Sequence, residues 1–243
     1  MGKVALITGG ARGIGRKLAE SLARDGVAVG VCWRTRAEVG AEAGQALAAL
    51  GVPVVSMQAD VSRPEEAAAF VERVTRELGP AEIVVHAAGP YHRVPLLEES
   101  VEGWNDMFSS NLHSLFYVVR AAAPAMIAAR RGRILAFGMA NADRMVAQTE
   151  VTAHYLAKAG VIGLVRAYAK ALARHGITVN TISPGFIDSG SAPAEELEKM
   201  KKTIPAGVIG HMDDAVAVAR VLLSDAAQYC TGTNVHVSGG WGI

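Results

Sequence analysis

The first fifteen residues limit this chain more than any later stretch. Val4-Ala5-Leu6-Ile7 is an unbroken apolar run, the pattern of a parallel strand buried on both faces. Thr8-Gly9-Gly10-Ala11-Arg12-Gly13-Ile14-Gly15 follows at once, and Ile14, Leu18 and Leu22 then recur at helical spacing over residues 14–24. A strand, a glycine-rich turn and a helix in that order build an anion site. The glycines permit a tight bend, let backbone N–H groups approach a phosphate, and let the helix lie close to the strand. The helix N-terminus adds partial positive charge. The order is G-x-x-x-G-x-G rather than the commoner G-x-G-x-x-G. An ordinary glycine turn is the alternative, and the strand before it and the helix after it weigh against that.

The rest of the chain repeats the unit. Strands are expected at residues 27–32, 53–57, 83–86, 132–137, 177–182 and 235–237, with helices between them. Thr35-x-x-Glu38 has the form of a capping box opening a helix to residue 50, and Ser62-Arg63-Pro64-Glu65 opens another to residue 78. A long helix is expected over 111–129, an irregular stretch over 138–152, and a helix carrying Tyr155 and Lys158 to about residue 174. Residues 186–210, rich in Pro, Gly and small side chains with a short helix at 195–202, have the character of a lid. Short breaks between alternating elements imply right-handed crossovers. The expectation is one α/β domain over residues 1–243: a doubly wound Rossmann fold with a seven-stranded, mostly parallel sheet and helices on both faces.

Charge decides the kind of dinucleotide. The second strand runs into Trp33-Arg34, with Arg36 beyond and no acid. An acid there would bind the ribose 2′-hydroxyl of NAD; an arginine accommodates the 2′-phosphate of NADP. Arg12 adds a second cation, so NADP(H) is the expected cofactor. Arg34 and Arg36 as solvated helix-start residues are the plainer reading, with more force for Arg36. Asp60-Val61 closes the third strand where it could touch an adenine edge, although Asp60 serves equally well as a turn residue. Ala87-Ala88-Gly89, after the fourth strand, leaves room for a ligand in the crevice.

Composition excludes several classes. The net charge is +1, with cations and acids interspersed, so nothing marks a nucleic-acid partner. Cys32 and Cys230 are too few for a disulfide framework and lack metal spacing. Met1-Gly2-Lys3 leads directly into a strand, which leaves no signal peptide. The longest apolar run, around residues 121–129, contains Pro124 and is too short to span a bilayer. A cytoplasmic protein without a membrane partner is expected.

Residues 8–15, His86-Ala87-Ala88-Gly89, Asn111, Tyr155-x-x-x-Lys158 and Pro184-Gly185 together resemble the short-chain dehydrogenase/reductase family over nearly the whole chain. Gly132-Arg133-Ile134 and residues 176–180 resemble its 3-oxoacyl-[acyl-carrier-protein] reductase branch. The resemblance implies reduction of a carbonyl by NADPH, with a small carbonyl or acyl thioester as substrate and a homotetramer built through the long helices. It makes Tyr155 the general acid. A free phenol ionises near pH 10, so a nearby lysine ammonium must favour the phenolate. Lys158 would also hold the cofactor ribose, Asn111 would hold a water that resupplies the proton, and Ile187 and Ser189 would flank the nicotinamide carboxamide. One position departs from the pattern. Met139 stands where the family has a serine that hydrogen-bonds the substrate carbonyl, and methionine donates no hydrogen bond. Asn141 and Gln148 are the preferred substitutes, with Thr149, Thr152 and His154 behind them. Two rival functions stay open: a reductase or dehydrogenase of another small carbonyl or alcohol, such as a sugar or pteridine, and a dinucleotide-binding protein without catalysis.

Overall fold

The structure, a computed structural model, describes residues 2–188 and 194–243. In chain order the elements are β1 Val4–Thr8, α1 Gly13–Arg24, β2 Ala28–Trp33, α2 Ala37–Ala48, β3 Val54–Gln58, α3 Pro64–Leu78 and β4 Ile83–His86. The second half contains α4 Val101–Phe108, α5 Ser114–Ala129, β5 Gly132–Phe137, α6 Thr152–Leu172, β6 Ile177–Pro184, β7 Ile187–Asp188, α7 Ala194–Lys201, β8 Gly210–His211, α8 Met212–Leu223 and β9 Asn234–Val237.

Seven strands form one sheet in the order β3-β2-β1-β4-β5-β6-β9, and every pairing in it is parallel. This is the doubly wound Rossmann arrangement, and the crevice at the carboxyl ends of β1 and β4 lies where the strand order reverses. The apolar runs explain why both faces are covered. In β1, Val4 and Leu6 pack with Phe70 and Val74 of α3 and with Leu115 and Val118 of α5. Ala5 and Ile7, on the opposite face, pack with Leu18 and Leu22 of α1 and with Leu222 of α8. The two-residue period of a strand distributes one run to two cores.

Three local expectations change. Thr35 and Glu38 make no capping box: Arg36 occupies the N-cap of α2 in the left-handed region (φ 61°), with no side-chain cap. α4 and α5 are one continuous helix joined by a π-helical turn, Ser109–His113. That helix, Val101–Ala129, is long and apolar enough to cross a membrane by length and composition, unlike the shorter run around 121–129. Here its apolar face lies on the sheet through Leu115, Val119 and Met126. The segment expected as a lid contains α7 and a two-stranded pair, β7 with β8.

The end of β2 fixes how α2 approaches. A Cβ added to Gly40 would sit 1.9 Å from Cε2 of Trp33. Alanine is the better helix former by about 1 kcal/mol, but overpacking costs about 1–3 kcal/mol. Gly40→Ala is therefore expected to lower stability despite its helix propensity. A urea midpoint at or above that of the wild type would disprove this close approach.

Candidate active site

A cleft of about 470 Å³ runs along the carboxyl ends of the strands, from the β1–α1 turn to Lys158. Its glycines are there for space. A Cβ on Gly9 would stand 2.6 Å from the Ala87 carbonyl oxygen, and one on Gly15 would stand 2.5 Å from the Gly9 carbonyl oxygen. Gly13 has φ 58°, a conformation that suits glycine. The N-terminus of α1 carries no side-chain cap and no acid in its first turn, so its free N–H groups suit a phosphate. Arg12, Arg34, Arg36 and Lys158 line the cleft, and no carboxylate does so among the described residues. Backbone cradle, helix N-terminus and cations fit an anionic dinucleotide. Arg34 is already anchored, donating from Nη1 to Asp106 Oδ1 and to Ser110 Oγ, each at 3.0 Å. A guanidinium has five N–H donors, so Nε and Nη2 remain for a ligand.

On the inner side Lys158 is buried and donates to the Phe137 carbonyl at 2.9 Å. Burial pushes its ammonium down to about 8. Two buried histidines lie close. Burial, reinforced by the Lys158 charge, pushes both His86 and His154 down to about 3, so both are neutral rings. His86 carries a side-chain relay. Ser114 Oγ donates to the Ser110 carbonyl (2.7 Å) and so accepts from His86 Nε2 (3.1 Å). Nδ1 of His86 then accepts from Thr8 Oγ1 (3.0 Å), which itself accepts from the Ala88 N–H (3.2 Å). His154 meets Tyr91 edge-on at 5.1 Å, and its buried Nδ1 has no partner. Asn111, fully buried in the π-helical turn, donates to the carbonyls of Met107 (3.0 Å) and Pro90 (3.2 Å). Its Oδ1 has no partner, and a Cβ on Gly89 would lie 2.2 Å from that oxygen.

Tyr155 is 2% exposed. Its hydroxyl donates to the Asn141 carbonyl at 2.9 Å and accepts from the Val146 N–H at 2.7 Å. The loop of residues 139–151 thus closes over it. Non-glycine Asn141 (φ 64°) and Met145 (φ 54°) take left-handed conformations in that loop. The loop is tied to β9 through Asp143, whose Oδ2 lies 3.0 Å from His236 Nε2 and 3.3 Å from Asn234 Nδ2. Met139 packs against Tyr155 and Ile162.

Many of the residues singled out in the sequence meet at the cleft: Gly9, Arg12, Gly13, Ile14, Gly15, Arg34, Val61, Ala87, Ala88, Gly89, Pro184 and Lys158. Others turn elsewhere. Asp60 accepts from the N–H and hydroxyl of Ser62, so it is a turn residue, while Ala59 and Val61 face the cleft. Thr8 serves the His86 relay. Gly185 is packed against Ser238, and Ile187 against Gly210. Neither Gly185 nor Ile187 lines the cleft. Ser189 lies outside the described residues. Asn141 meets Tyr155 through its backbone carbonyl, not its amide, and the carbonyl of Gln148 accepts from Thr152. His86 bonds to the side chains of Thr8 and Ser114. Phe137, Ser110 and Pro90 line the cleft without any chemical signature that a sequence could display.

Residues 9–242 match the family described as enoyl-(acyl carrier protein) reductase. A 3-oxoacyl-[acyl-carrier-protein] reductase of Staphylococcus aureus is 35% identical, with 99% of this chain and 98% of that protein aligned. The corresponding Pseudomonas aeruginosa enzyme is 37% identical, with 98% and 97% aligned. Among solved structures, a blue fluorescent protein from a metagenomic library in complex with NADPH superposes with TM-score 0.92 at 29% identity, over 100% of this chain and 98% of that one. The acetoin dehydrogenase YohF of Salmonella typhimurium does so with TM-score 0.89 at 27% identity, over 99% and 97%.

The two neutral histidines make stability depend on pH. Each has a folded pKa near 3 against about 6.5 when unfolded. Between those values the unfolded chain binds more protons, so stability is full above about pH 6.5 and is lost as pH falls. Each is expected to remove about 2 kcal/mol between pH 7 and pH 5. Urea unfolding of His86→Asn and His154→Gln at the two pH values should show a flatter dependence than the wild type. An unchanged slope would show that these rings are protonated in the fold.

Proposed function

The chain belongs to the short-chain dehydrogenase/reductase family, and from that membership we propose that it is an NADPH-dependent carbonyl reductase acting on a ketone of the 3-oxoacyl thioester class. The observation that supports this best is the cleft itself: four cations and no carboxylate among its described lining residues, ending at the buried Lys158, one helical turn from the buried Tyr155. When bound, the nicotinamide cofactor supplies the hydride. Gly9, Gly13, Ile14 and Gly15 hold its phosphates at the start of α1. Arg12 and Arg34 take the 2′-phosphate, with Val61, Ala87, Ala88, Gly89 and Pro184 walling the cleft. Lys158 orients the ribose. Tyr155 gives its proton to the oxygen on which charge develops. Asn111 supports the supply of that proton from the Pro90 side.

The family description names an enoyl reductase, which reduces C=C, whereas the curated relatives are 3-oxoacyl reductases, which reduce C=O. The carbonyl reading is preferred because the aligned relatives span the full chain and because a hydroxyl donor is matched to charge appearing on oxygen. The remaining proposed partners are further copies of the chain, in a cytoplasmic homotetramer joined through α5 and α6, where Phe116 is left 43% exposed. Light scattering at the mass of a monomer would remove that element.

One observation favours a second reading, a dinucleotide-binding protein without turnover: its own loop engages both sides of the Tyr155 hydroxyl. The discriminating assay follows NADPH and NADH oxidation with acetoacetyl and crotonyl thioesters, small ketones and sugars. Oxidation of NADPH with the acetoacetyl thioester is expected, with kcat reduced about 100- to 10,000-fold in Tyr155→Phe. Arg34→Ala should raise KM for NADPH about 10-fold or more, the value of one charged hydrogen bond, and leave KM for NADH in place. Turnover of the crotonyl thioester alone would move the activity to C=C reduction. Saturable NADPH binding with no turnover would select the second reading.

A further inference from the structure

Met139 leaves the reactive oxygen short of one donor, because a thioether carries no N–H or O–H. Of the side chains expected to replace it, that of Thr152 is engaged elsewhere. Thr152 donates to the Gln148 carbonyl. The His154 ring meets Tyr91 edge-on. The buried atom of the Asn141 amide that lacks a partner is its oxygen, an acceptor. A donor is nevertheless in place. The Val146 N–H reaches the Tyr155 hydroxyl oxygen at 2.7 Å. That N–H is therefore beside the hydroxyl that delivers the proton.

We infer that the backbone N–H of Val146 is the second donor to the substrate carbonyl oxygen, in the part a side-chain hydroxyl at position 139 would take; this rests on the carbonyl-reductase reading. Its partner group supports the assignment. The Asn141 carbonyl accepts the Tyr155 O–H at 2.9 Å and the Arg144 N–H at 3.0 Å, so a peptide C=O already holds the place on Tyr155 that a ketone would take. The substrate displaces it and accepts from both donors. As hydride from the reduced nicotinamide adds to the carbonyl carbon, the π pair moves onto oxygen. The Tyr155 O–H bond breaks and its proton joins that oxygen. Val146 keeps its proton. The ketone is reduced to an alcohol and the nicotinamide is oxidised. The anchor of Asp143 on His236 and Asn234 keeps the loop aimed, which a preorganised donor requires.

A backbone donor is removed by replacing the amide with an ester. The full-length protein is made with the α-hydroxy acid analogue of valine at position 146, and separately with that of alanine at position 147. The assay uses NADPH with an acetoacetyl thioester, or whichever carbonyl of the panel the wild type reduces. The Val146 ester is expected to lose about 100-fold in kcat without a change in NADPH affinity, while the Ala147 ester keeps its rate. A second readout needs no turnover and no variant: in isotope-labelled wild type without cofactor, the Val146 amide-proton resonance should shift as acetoacetyl thioester is added. An unchanged or raised kcat in the Val146 ester overturns the inference, since the contact is then only a closure of the empty site. A Val146 resonance that stays fixed at saturating thioester overturns it as well. A wild type that reduces no carbonyl of the panel overturns the reductase reading and this inference together, an outcome distinct from failure of the Val146 ester alone.

Discussion

The organisation of the site depends on a buried ammonium without a counter-charge. Lys158 is 8% exposed and is held by a peptide carbonyl, and no carboxylate among the described residues pairs with it. Desolvation penalises it, yet it keeps its proton at neutral pH. That cost constrains the neighbours. His86 and His154 are already disfavoured as cations by burial, and the Lys158 charge pushes them further the same way. The polar interior around the lysine must therefore be assembled from neutral dipoles: the Thr8–His86–Ser114 relay, the Pro90 carbonyl and the amide of Asn111. An acid in this shell would neutralise the lysine. With Arg12, Arg34 and Arg36 along the same cleft, the negative partner is left for a ligand to bring.

Such a shell needs backbone groups at close quarters, and the parallel sheet supplies them. The carboxyl ends of β1, β4, β5 and β6 lie side by side, so Thr8, His86, Phe137 and Pro184 arrive at one edge from four separate strands. Glycines let the edges approach. Gly9 meets the carbonyl of Ala87, Gly89 meets Asn111, and Gly138 meets Ser183 at distances that no Cβ would allow. The π-helical turn at Ser109–His113 has a comparable effect within a helix: an extra residue rotates Asn111 inward while the apolar face of α5 stays on the sheet.

These features differ in how far a sequence can express them. Val4 to Gly15 was legible because a run of buried residues and a run of glycines each answer to one physical demand. The parallel, doubly wound sheet followed from alternation and crossover handedness. Thr35-x-x-Glu38 misled because a capping pattern is local, whereas Arg36 takes a left-handed N-cap in the turn between β2 and α2. Asp60 fitted an adenine edge and a turn equally well, and its bonds to Ser62 settled the matter only in three dimensions. The π-helical turn was hidden because Ser109, Ser110 and Asn111 carry no pattern distinct from a helix start. Asn141 and Gln148 are the substitute donors a sequence suggests, because only side chains can be read from letters. A backbone N–H is present at every residue except proline and has no signature of its own.

That last limit bears on how the departure at Met139 is understood. A side-chain donor binds function to one position, so its replacement by methionine reads as loss. A backbone donor binds function to the path of a loop, and the path here is held by several independent features. Asn141 and Met145 occupy left-handed conformations that cost of order 1 kcal/mol or more each for non-glycine residues. Asp143 is tied to β9, and the Tyr155 hydroxyl itself bridges Asn141 and Val146. Strain of this kind persists only where surrounding contacts over-determine it. Met139 contributes by packing under the loop against Tyr155 and Ile162, which supports the loop from below at the position where a serine would have approached the substrate directly. The exchange of a hydroxyl for a thioether then moves the donor from the end of β5 to the crest of the loop. The polarity of the site is kept while its wall changes, and a wall built from loop backbone, with the side chains of Met145 and Val146 exposed at its crest, ties the shape of the substrate entrance to the same few residues that hold the proton donor in place.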